Sequence, residues 1–104
     1  MKTKQFAELW VQVESMPDNE VEAIAAIIDE LHRARGLYPE WPTDAVHAAA
    51  VMAEEAGETV KAALDFHYKG EQPLHKQHMK DEATQTGAMA IRVLLGVENY
   101  AVNR

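Results

Sequence analysis

The sequence predicts an all-α protein, a bundle of about four helices, and three observations favour this fold class. Alanine and methionine, which form helices well, are common, whereas there are only two Phe, three Tyr and two Trp. Within each segment the apolar residues recur every three or four positions and do not alternate. Prolines and glycines stand between these segments, where loops are expected.

The length of the chain bounds its organisation. With 104 residues it has the size of one domain, 1–104, and a short helical chain buries only a modest core by itself. We therefore expect subunit association to complete the bundle. Apolar residues are 47% of the total and charged residues 26%, which is typical of a globular protein and excludes wholesale disorder.

The first predicted helix covers about 4–14. Four large apolar residues fall at helical spacing in it: Phe6, Leu9, Trp10 and Val13. The segment 15–19 contains Pro17 and breaks the helix, and Asp18 or Asn19 is expected to cap the next one.

The second predicted helix runs from about Glu20 to Ala34. Its expected core-facing residues are Val21, Ile24, Ile27, Ile28 and Leu31. Arg33 and Arg35 suit the negative end of a helix dipole, and Gly36 is expected to provide the left-handed stop.

Two longer helices follow a loop at 37–42 that is rich in aromatic residues and proline. Thr43 or Asp44 is expected to cap the third helix, which continues to about Tyr68. A second loop, 69–74, leads to a fourth helix over about 75–95. Gly96 is its expected stop, and the tail 97–104 is expected to be irregular.

The charge and composition exclude several function classes. The formal net charge is −7, which repels nucleic-acid phosphates, so we expect no nucleic-acid partner. There is no cysteine, which excludes disulfides and Cys-based metal sites. The sequence has no apolar run typical of a signal peptide or a membrane span, so we expect a cytoplasmic protein without a membrane partner.

Paired carboxylates on the third helix are the first candidate functional residues. At about 100° per residue, Glu55 falls in the same stripe as four apolar residues, and Glu58 lies at the edge of that stripe. These apolar residues are Ala48, Val51, Ala62 and Phe66. Glu54 and Lys61 lie further round, among polar residues. A solvated acidic face is the ordinary interpretation of such a motif, but Glu55 points toward the predicted core.

The fourth helix repeats this arrangement. Glu82 falls on an apolar stripe with Met79, Met89 and Val93, and Gln85 lies near its edge beside Arg92. Burying carboxylates near one another is costly unless a proton or a cation compensates them. Mg²⁺ prefers oxygen ligands and often bridges carboxylates to phosphates, and Mn²⁺ also suits such ligands.

These motifs resemble a known family. Glu55-x-x-Glu58 followed by Glu82-x-x-Gln85 is similar to the ExxE…ExxD pattern of the MazG-like all-α nucleoside triphosphate pyrophosphohydrolases. The flanking stretches HAAAVMAEEAGETVKAALDF and KDEATQTGAMAIRVLLG resemble the family as well. The resemblance covers about 41–96 and is greatest to the short bacterial and phage proteins of this type.

The resemblance implies a metal site and a reaction. Glu55, Glu58 and Glu82 would be Mg²⁺ ligands, and the family's fourth acid is replaced by Gln85, which keeps an oxygen but no charge. Glu54 and Asp81 are candidate auxiliary acids. The implied reaction is hydrolysis of a nucleoside triphosphate, ribo or deoxyribo, to the monophosphate and pyrophosphate.

For such a reaction, residues in and near the motifs are candidates for further roles. Glu55 or Glu58 is the candidate general base. Lys61 and Arg92 are candidate phosphate-binding residues, with surface cations as the alternative. Trp41 is a candidate base-stacking residue, with packing against the bundle as the alternative.

Other polar residues carry weaker signals. Tyr38 shares the alternatives given for Trp41, and His47 is either a substrate contact or an ordinary helix residue. His78 and Glu82 are four residues apart, but neither helix has the Glu-x-x-His pattern of a bundle transition-metal site.

Two alternatives to an enzyme stay open. Gln85 favours a family member that is weakly active or inactive and binds nucleotide or a partner without turnover. The third possibility is a structural helical oligomer whose acids are solvated. Family members are commonly dimers or tetramers, so a homo-oligomer is expected.

Overall fold

The computed structural model describes residues 2–70 and 72–102 and confirms the all-α prediction. Four α-helices follow one another, and none of the described residues belongs to a β-strand. The helices are α1 (Thr3–Glu14), α2 (Asp18–Leu37), α3 (Ala45–Lys69) and α4 (Pro73–Gly96), and a 3₁₀ turn (Val97–Asn99) follows.

The core lies around α4, which packs along α3 on one side and against α2 on the other. The small buried core joins α2 to α4: Leu31, Ala34, Ala88 and Met89. The α2–α4 contact is close at Gly87, where a Cβ would lie 2.8 Å from Cδ1 of Ile27. Ala48 and Ala62 on α3 are fully buried. The alanines and the glycine at these positions allow α2, α3 and α4 to pack closely, because no large side chain separates their backbones.

The helix boundaries differ from expectation in the second and fourth helices. Neither Asp18 nor Asn19 caps α2, because the helix already begins at Asp18 and Pro17 is the N-cap residue. Gly36 does not end α2, because the helix continues to Leu37 and the N–H of Tyr38 still donates to the carbonyl of Ala34. The fourth helix begins at Pro73, since a first-turn proline loses no helical hydrogen bond.

The ends of α3 match the sequence better. Asp44, one of the two expected caps, accepts a hydrogen bond from the backbone N–H of His47 at 2.8 Å. The helix ends at Lys69 and is followed by Gly70, whose φ of 98° lies in the left-handed region that favours glycine.

The apolar stripe of α1 and part of that of α2 do not reach the core. None of the residues of α1, all of which the structure describes, is buried, and Trp10 is 55% exposed. Ile24 and Ile28, expected in the core, are exposed because α2 packs on α4 through Ile27 and Leu31.

The tail after α4 was expected to be irregular, but it contains the 3₁₀ turn and returns to the start of α3. The N–H of Ala101 donates to the carbonyl of Thr43 at 2.8 Å. The side chain of Tyr100 lies against Gly96, whose missing Cβ makes room for the ring. None of the helices in the described ranges has the length and apolarity that a membrane crossing requires.

Candidate functional site

The α3–α4 interface carries both acidic motifs, and a pair of threonines lies within it. The side-chain oxygens of Thr59 and Thr86 are 3.0 Å apart across the interface. Each hydroxyl also lies within hydrogen-bonding distance of a carbonyl one turn earlier, that of Glu55 for Thr59 and that of Glu82 for Thr86. One hydroxyl can therefore donate across the interface while the other donates within its own helix. The threonines therefore fix the interface one turn after the first acid of each motif.

Glu55 is the acid with the most perturbed environment. Its side chain is half-buried, as the helical wheel predicts. Burial is the largest cause that raises its pKa, and the charge of Glu82 is the next largest. Smaller contributions come from Glu54, Glu58 and Glu30. Glu55 therefore lies within a field of carboxylates that disfavours its ionised form.

Glu82 also has a shielded side chain. It is only 15% exposed, and its Oε1 lies 3.4 Å from Nε2 of His78. This contact is an ion pair when His78 is protonated. The i, i+4 pair noted in the sequence thus forms within one turn of α4 and supplies Glu82 with a nearby partner.

The other predicted acids are more open. Glu58, Glu54 and Asp81 are exposed, and Asp81 accepts a hydrogen bond from Nε2 of Gln77 at 2.8 Å. Within residues 2–70 and 72–102, no three His, Asp or Glu side chains converge closely enough to hold a metal ion. The structure thus places Glu55 close enough to Glu82 and Glu58 for their charges to raise its pKa. These three carboxylates do not converge to form a set of metal ligands.

A pocket of about 500 Å³ adjoins Glu55. It lies where α2, the loop after it, α3 and α4 meet. Its lining includes residues that the sequence predicted for the site: Trp41, His47, Glu55, Gln85 and Arg92. Lys61 and Glu58 are not among the lining residues. The pocket therefore lies between Glu55, the first acid of the α3 motif, and Gln85, the last residue of the α4 motif.

Arg92 and Trp41 form one wall of this pocket. Arg92 is 7% exposed, and its guanidinium carbon lies 4.6 Å from the centroid of the Trp41 ring. Its Nη2 donates to the carbonyl of Tyr38 at 2.9 Å. Burial, followed by the charge of Arg35, lowers the pKa of Arg92. Arg92 is thus a buried cation and not a surface one.

Trp41 packs against the bundle, as one of the two alternatives predicted. Its indole N–H donates to the hydroxyl of Tyr100 at 2.9 Å, and that hydroxyl donates to the carbonyl of Val93. Trp41 also packs against the buried core cluster. These contacts hold the ring in place while it still lines the pocket.

Glu30 and Arg33 of α2 also line the pocket, and the sequence interpretation did not include them in the site. Arg33 donates to both carboxylate oxygens of Glu30, at 2.6 and 2.8 Å. The Glu30 side chain is 13% exposed. A signal was present, because Glu30 lies three residues after Ile27 and four before Ala34, on the stripe that packs on α4.

Comparison with protein-family models, with curated proteins and with solved structures found no match to this chain. The likeness to MazG-like proteins therefore rests on the two motifs and their flanking residues.

Proposed function

We propose that this protein is a Mg²⁺-dependent hydrolase that cleaves a nucleoside triphosphate to its monophosphate and pyrophosphate. The observation that carries the proposal is the placement of Glu55. Its carboxylate is half-buried, lies in the field of Glu82, and borders a pocket that also contains an aromatic ring and two arginines. Structural carboxylates are usually solvated or paired, and this one is neither fully solvated nor paired with a cation on α3 or α4.

The donor set suits a hard divalent cation. Glu55, Glu58, Glu82 and Gln85 each have a side-chain oxygen that can ligate a cation, and Mg²⁺ and Mn²⁺ prefer oxygen ligands. A cation held by these residues would offset the repulsion that raises the pKa of Glu55. Glu54 and Asp81, both exposed, lie beside the motifs as auxiliary acids. When bound, the cation would neutralise the triphosphate and polarise its phosphoryl oxygens.

The pocket has the size and lining of a small-molecule site. Its volume of about 500 Å³ lies within the range of ligand pockets. Trp41 offers a fixed aromatic face and Arg92 a buried guanidinium. We assign phosphate binding to Arg92 ahead of Lys61, because Lys61 is exposed and lies outside the lining.

A proton acceptor for water is available within the same group. Glu55 lines the pocket in which the nucleotide would lie, and its carboxylate can accept a proton from water there. Glu58 is exposed and lies outside the lining. We therefore assign the general base to Glu55 ahead of Glu58.

The second candidate function is nucleotide binding without turnover. Gln85 favours it, because an uncharged side chain lines the pocket where the family pattern has an acid. The absence of a converging acid triad among the described residues points the same way.

Product analysis with matched variants tests the proposal. The purified chain is incubated with a panel of NTPs and dNTPs, with Mg²⁺, with Mn²⁺ or with neither, and pyrophosphate and monophosphate are quantified. We expect cation-dependent product with the wild type and a loss of at least about 100-fold in Glu55→Gln and Glu82→Gln. Glu22→Gln, on the exposed surface of α2, is the control and should keep full activity.

Two outcomes would redirect the assignment. If no nucleotide gives product but nucleotide with Mg²⁺ raises the melting temperature, the binding function replaces the catalytic one. If neither product nor stabilisation is seen, both functions are wrong, and the third possibility, a structural oligomer, is left.

A further inference from the structure

The tail segment, residues 97–101, contacts the loop between α2 and α3. The N–H of Ala101 donates to the carbonyl of Thr43 at 2.8 Å. The ring of Tyr100 lies beside Gly96, where an added Cβ would come within 2.5 Å of the tyrosine hydroxyl oxygen. A side chain at this position would therefore displace the ring. The glycine thus allows the tail segment to dock on the loop between α2 and α3.

The hydroxyl of Tyr100 connects this loop to α4 beside Arg92. It accepts a hydrogen bond from the indole N–H of Trp41 at 2.9 Å and donates to the carbonyl of Val93 at 3.1 Å. Val93 directly follows Arg92, whose Nη2 donates to the carbonyl of Tyr38 at 2.9 Å. Two adjacent residues of α4 are therefore joined to the same loop, one through its own side chain and one through the docked tail segment.

The guanidinium of Arg92 depends on this loop for its orientation. It is buried, and its carbon lies 4.6 Å from the centroid of the Trp41 ring. In the part of the chain that the structure describes, no carboxylate forms an ion pair with it. Its partners are the aromatic face of Trp41 and the carbonyl of Tyr38, both of which belong to the loop. A shift of the loop would therefore move a cation that lines the pocket.

Tyr100 is not among the residues that line the pocket. It bonds to one lining residue, Trp41, and the ring of Trp41 lies against another, Arg92. An effect of Tyr100 on a ligand must therefore pass through these two side chains. Loss of its hydroxyl would leave the composition of the lining unchanged and would alter only its placement.

We propose that Tyr100 is a positioning residue for the ligand of this pocket, and that docking of the tail segment and binding of the ligand stabilise each other. This rests on the proposed function for the chemistry of the ligand, a nucleoside triphosphate bound with Mg²⁺. A ligand that contacts Trp41 and Arg92 favours the docked state, in which both side chains are fixed. Because coupling between two sites is reciprocal, docking raises the affinity for the ligand by the same factor.

Calorimetric titration with uncleavable nucleotides measures the effect on affinity. A panel of α,β-methylene NTP and dNTP analogues is tested with Mg²⁺, and the tightest-binding analogue is used throughout. Tyr100→Phe keeps the ring and removes the hydroxyl, and it should raise the Kd of the analogue about fivefold to tenfold, since one uncharged hydrogen bond is lost. Tyr68→Phe, at an exposed position on α3, is the matched control and should leave the Kd unchanged.

A double-mutant cycle tests whether the effect passes through Trp41. Trp41→Phe removes the indole N–H that Tyr100 accepts. In this background, Tyr100→Phe should raise the Kd by less than about twofold, because the contact that it removes is already absent. Full additivity of the two substitutions would overturn the proposed route.

Gly96→Ala displaces Tyr100 in a second way. The added Cβ meets the tyrosine ring, whereas alanine favours the helical end of α4. This variant should also raise the Kd of the analogue, and an unchanged Kd would contradict the coupling.

Hydrogen exchange at Ala101 measures the same coupling from the tail segment. Its N–H is bonded to Thr43, and neither residue is among those that line the pocket. A saturating concentration of the analogue with Mg²⁺ should slow exchange of this amide about fivefold to tenfold in the wild type. In Tyr100→Phe the slowing should be less than about twofold, because the tail segment no longer senses the pocket.

The outcomes distinguish this proposal from the catalytic one. If product forms but Tyr100→Phe leaves the Kd unchanged, or only lowers the melting temperature, the positioning role is wrong and the pyrophosphohydrolase stands. If no nucleotide gives product but the analogue binds and Tyr100→Phe weakens it, the positioning role is supported and catalysis is contradicted. If no analogue binds, the positioning role is overturned as well.

Discussion

The sequence predicts an amphipathic helix both for α3 and for α1, but in the structure only the apolar stripe of α3 is covered by another helix. In both regions, apolar residues at helical spacing predict a helix with one core-facing stripe. In α3 that stripe is covered by α4, and Ala48 and Ala62 are fully buried. In α1, Phe6 and Trp10 remain more than half exposed. Periodicity therefore identifies an amphipathic helix, but it does not identify which surface covers it.

The largest expected effect comes from a charge placed in the covered stripe. Ala62→Glu should destabilise the fold by on the order of 4 kcal/mol, because it buries an unpaired carboxylate between two helices. Val11→Glu, on exposed α1, should change stability by less than about 0.5 kcal/mol. Urea unfolding followed by circular dichroism measures both. Equal losses would mean that α1 is covered in solution, and the contrast would fail.

A pair of glycines compares a close helix contact with an open one. Gly87→Ala brings a Cβ to 2.8 Å from Ile27, and the clash should cost about 1–3 kcal/mol, partly offset by better helix propensity. Gly36→Ala meets no heavy atom within 4 Å among the described residues and should stabilise α2 by up to about 1 kcal/mol. Thermal unfolding should therefore give shifts of opposite sign, and a stabilising Gly87→Ala would show that α2 and α4 are further apart.

Removing the N-cap of α3 should change stability less than the glycine substitutions do. It also distinguishes Thr43 from Asp44, either of which the sequence allowed as the cap. Asp44→Ala should cost about 1 kcal/mol, because its carboxylate accepts the hydrogen bond from His47. Thr43→Ala should cost less, since the cap belongs to its neighbour. Chemical denaturation of the two variants decides this, and the reverse order would assign the cap to Thr43.

The smallest effect concerns Glu55 and has a defined sign. Because folding raises the pKa of Glu55, this residue contributes to the free energy of unfolding at low pH, where it is protonated. That contribution is lost as the pH rises through the raised pKa. Glu55→Gln should therefore raise the melting temperature by roughly a few degrees at neutral pH without added cation, and less at mildly acidic pH.

Adding Mg²⁺ extends this comparison between the melting temperatures of the wild type and Glu55→Gln. It should stabilise the wild type and leave Glu55→Gln unchanged, with Glu22→Gln behaving as the wild type. A melting temperature of Glu55→Gln below that of the wild type at neutral pH would show that Glu55 forms favourable contacts instead of being repelled.

The sequence predicted the fold class and the inward side of each acidic motif, because both depend on helical period alone. Glu55 and Glu82 are shielded, as the helical wheels indicated. It could not predict that Glu30 joins the pocket, because that depends on how α2 packs across α4. Gly36 was misjudged because a helix ends where its hydrogen bonds end, and those of α2 continue to Tyr38.

The hydrogen bond between Trp41 and Tyr100 joins positions 59 residues apart. The α3–α4 hairpin lies entirely inside the loop that this bond closes. Contacts near in sequence form early in folding, whereas closing a long loop costs more chain entropy and comes later. We therefore expect α3 and α4 to pack together first and the contact between Trp41 and Tyr100 to form last. Loss of the Tyr100 hydroxyl should accordingly speed unfolding more than it slows folding.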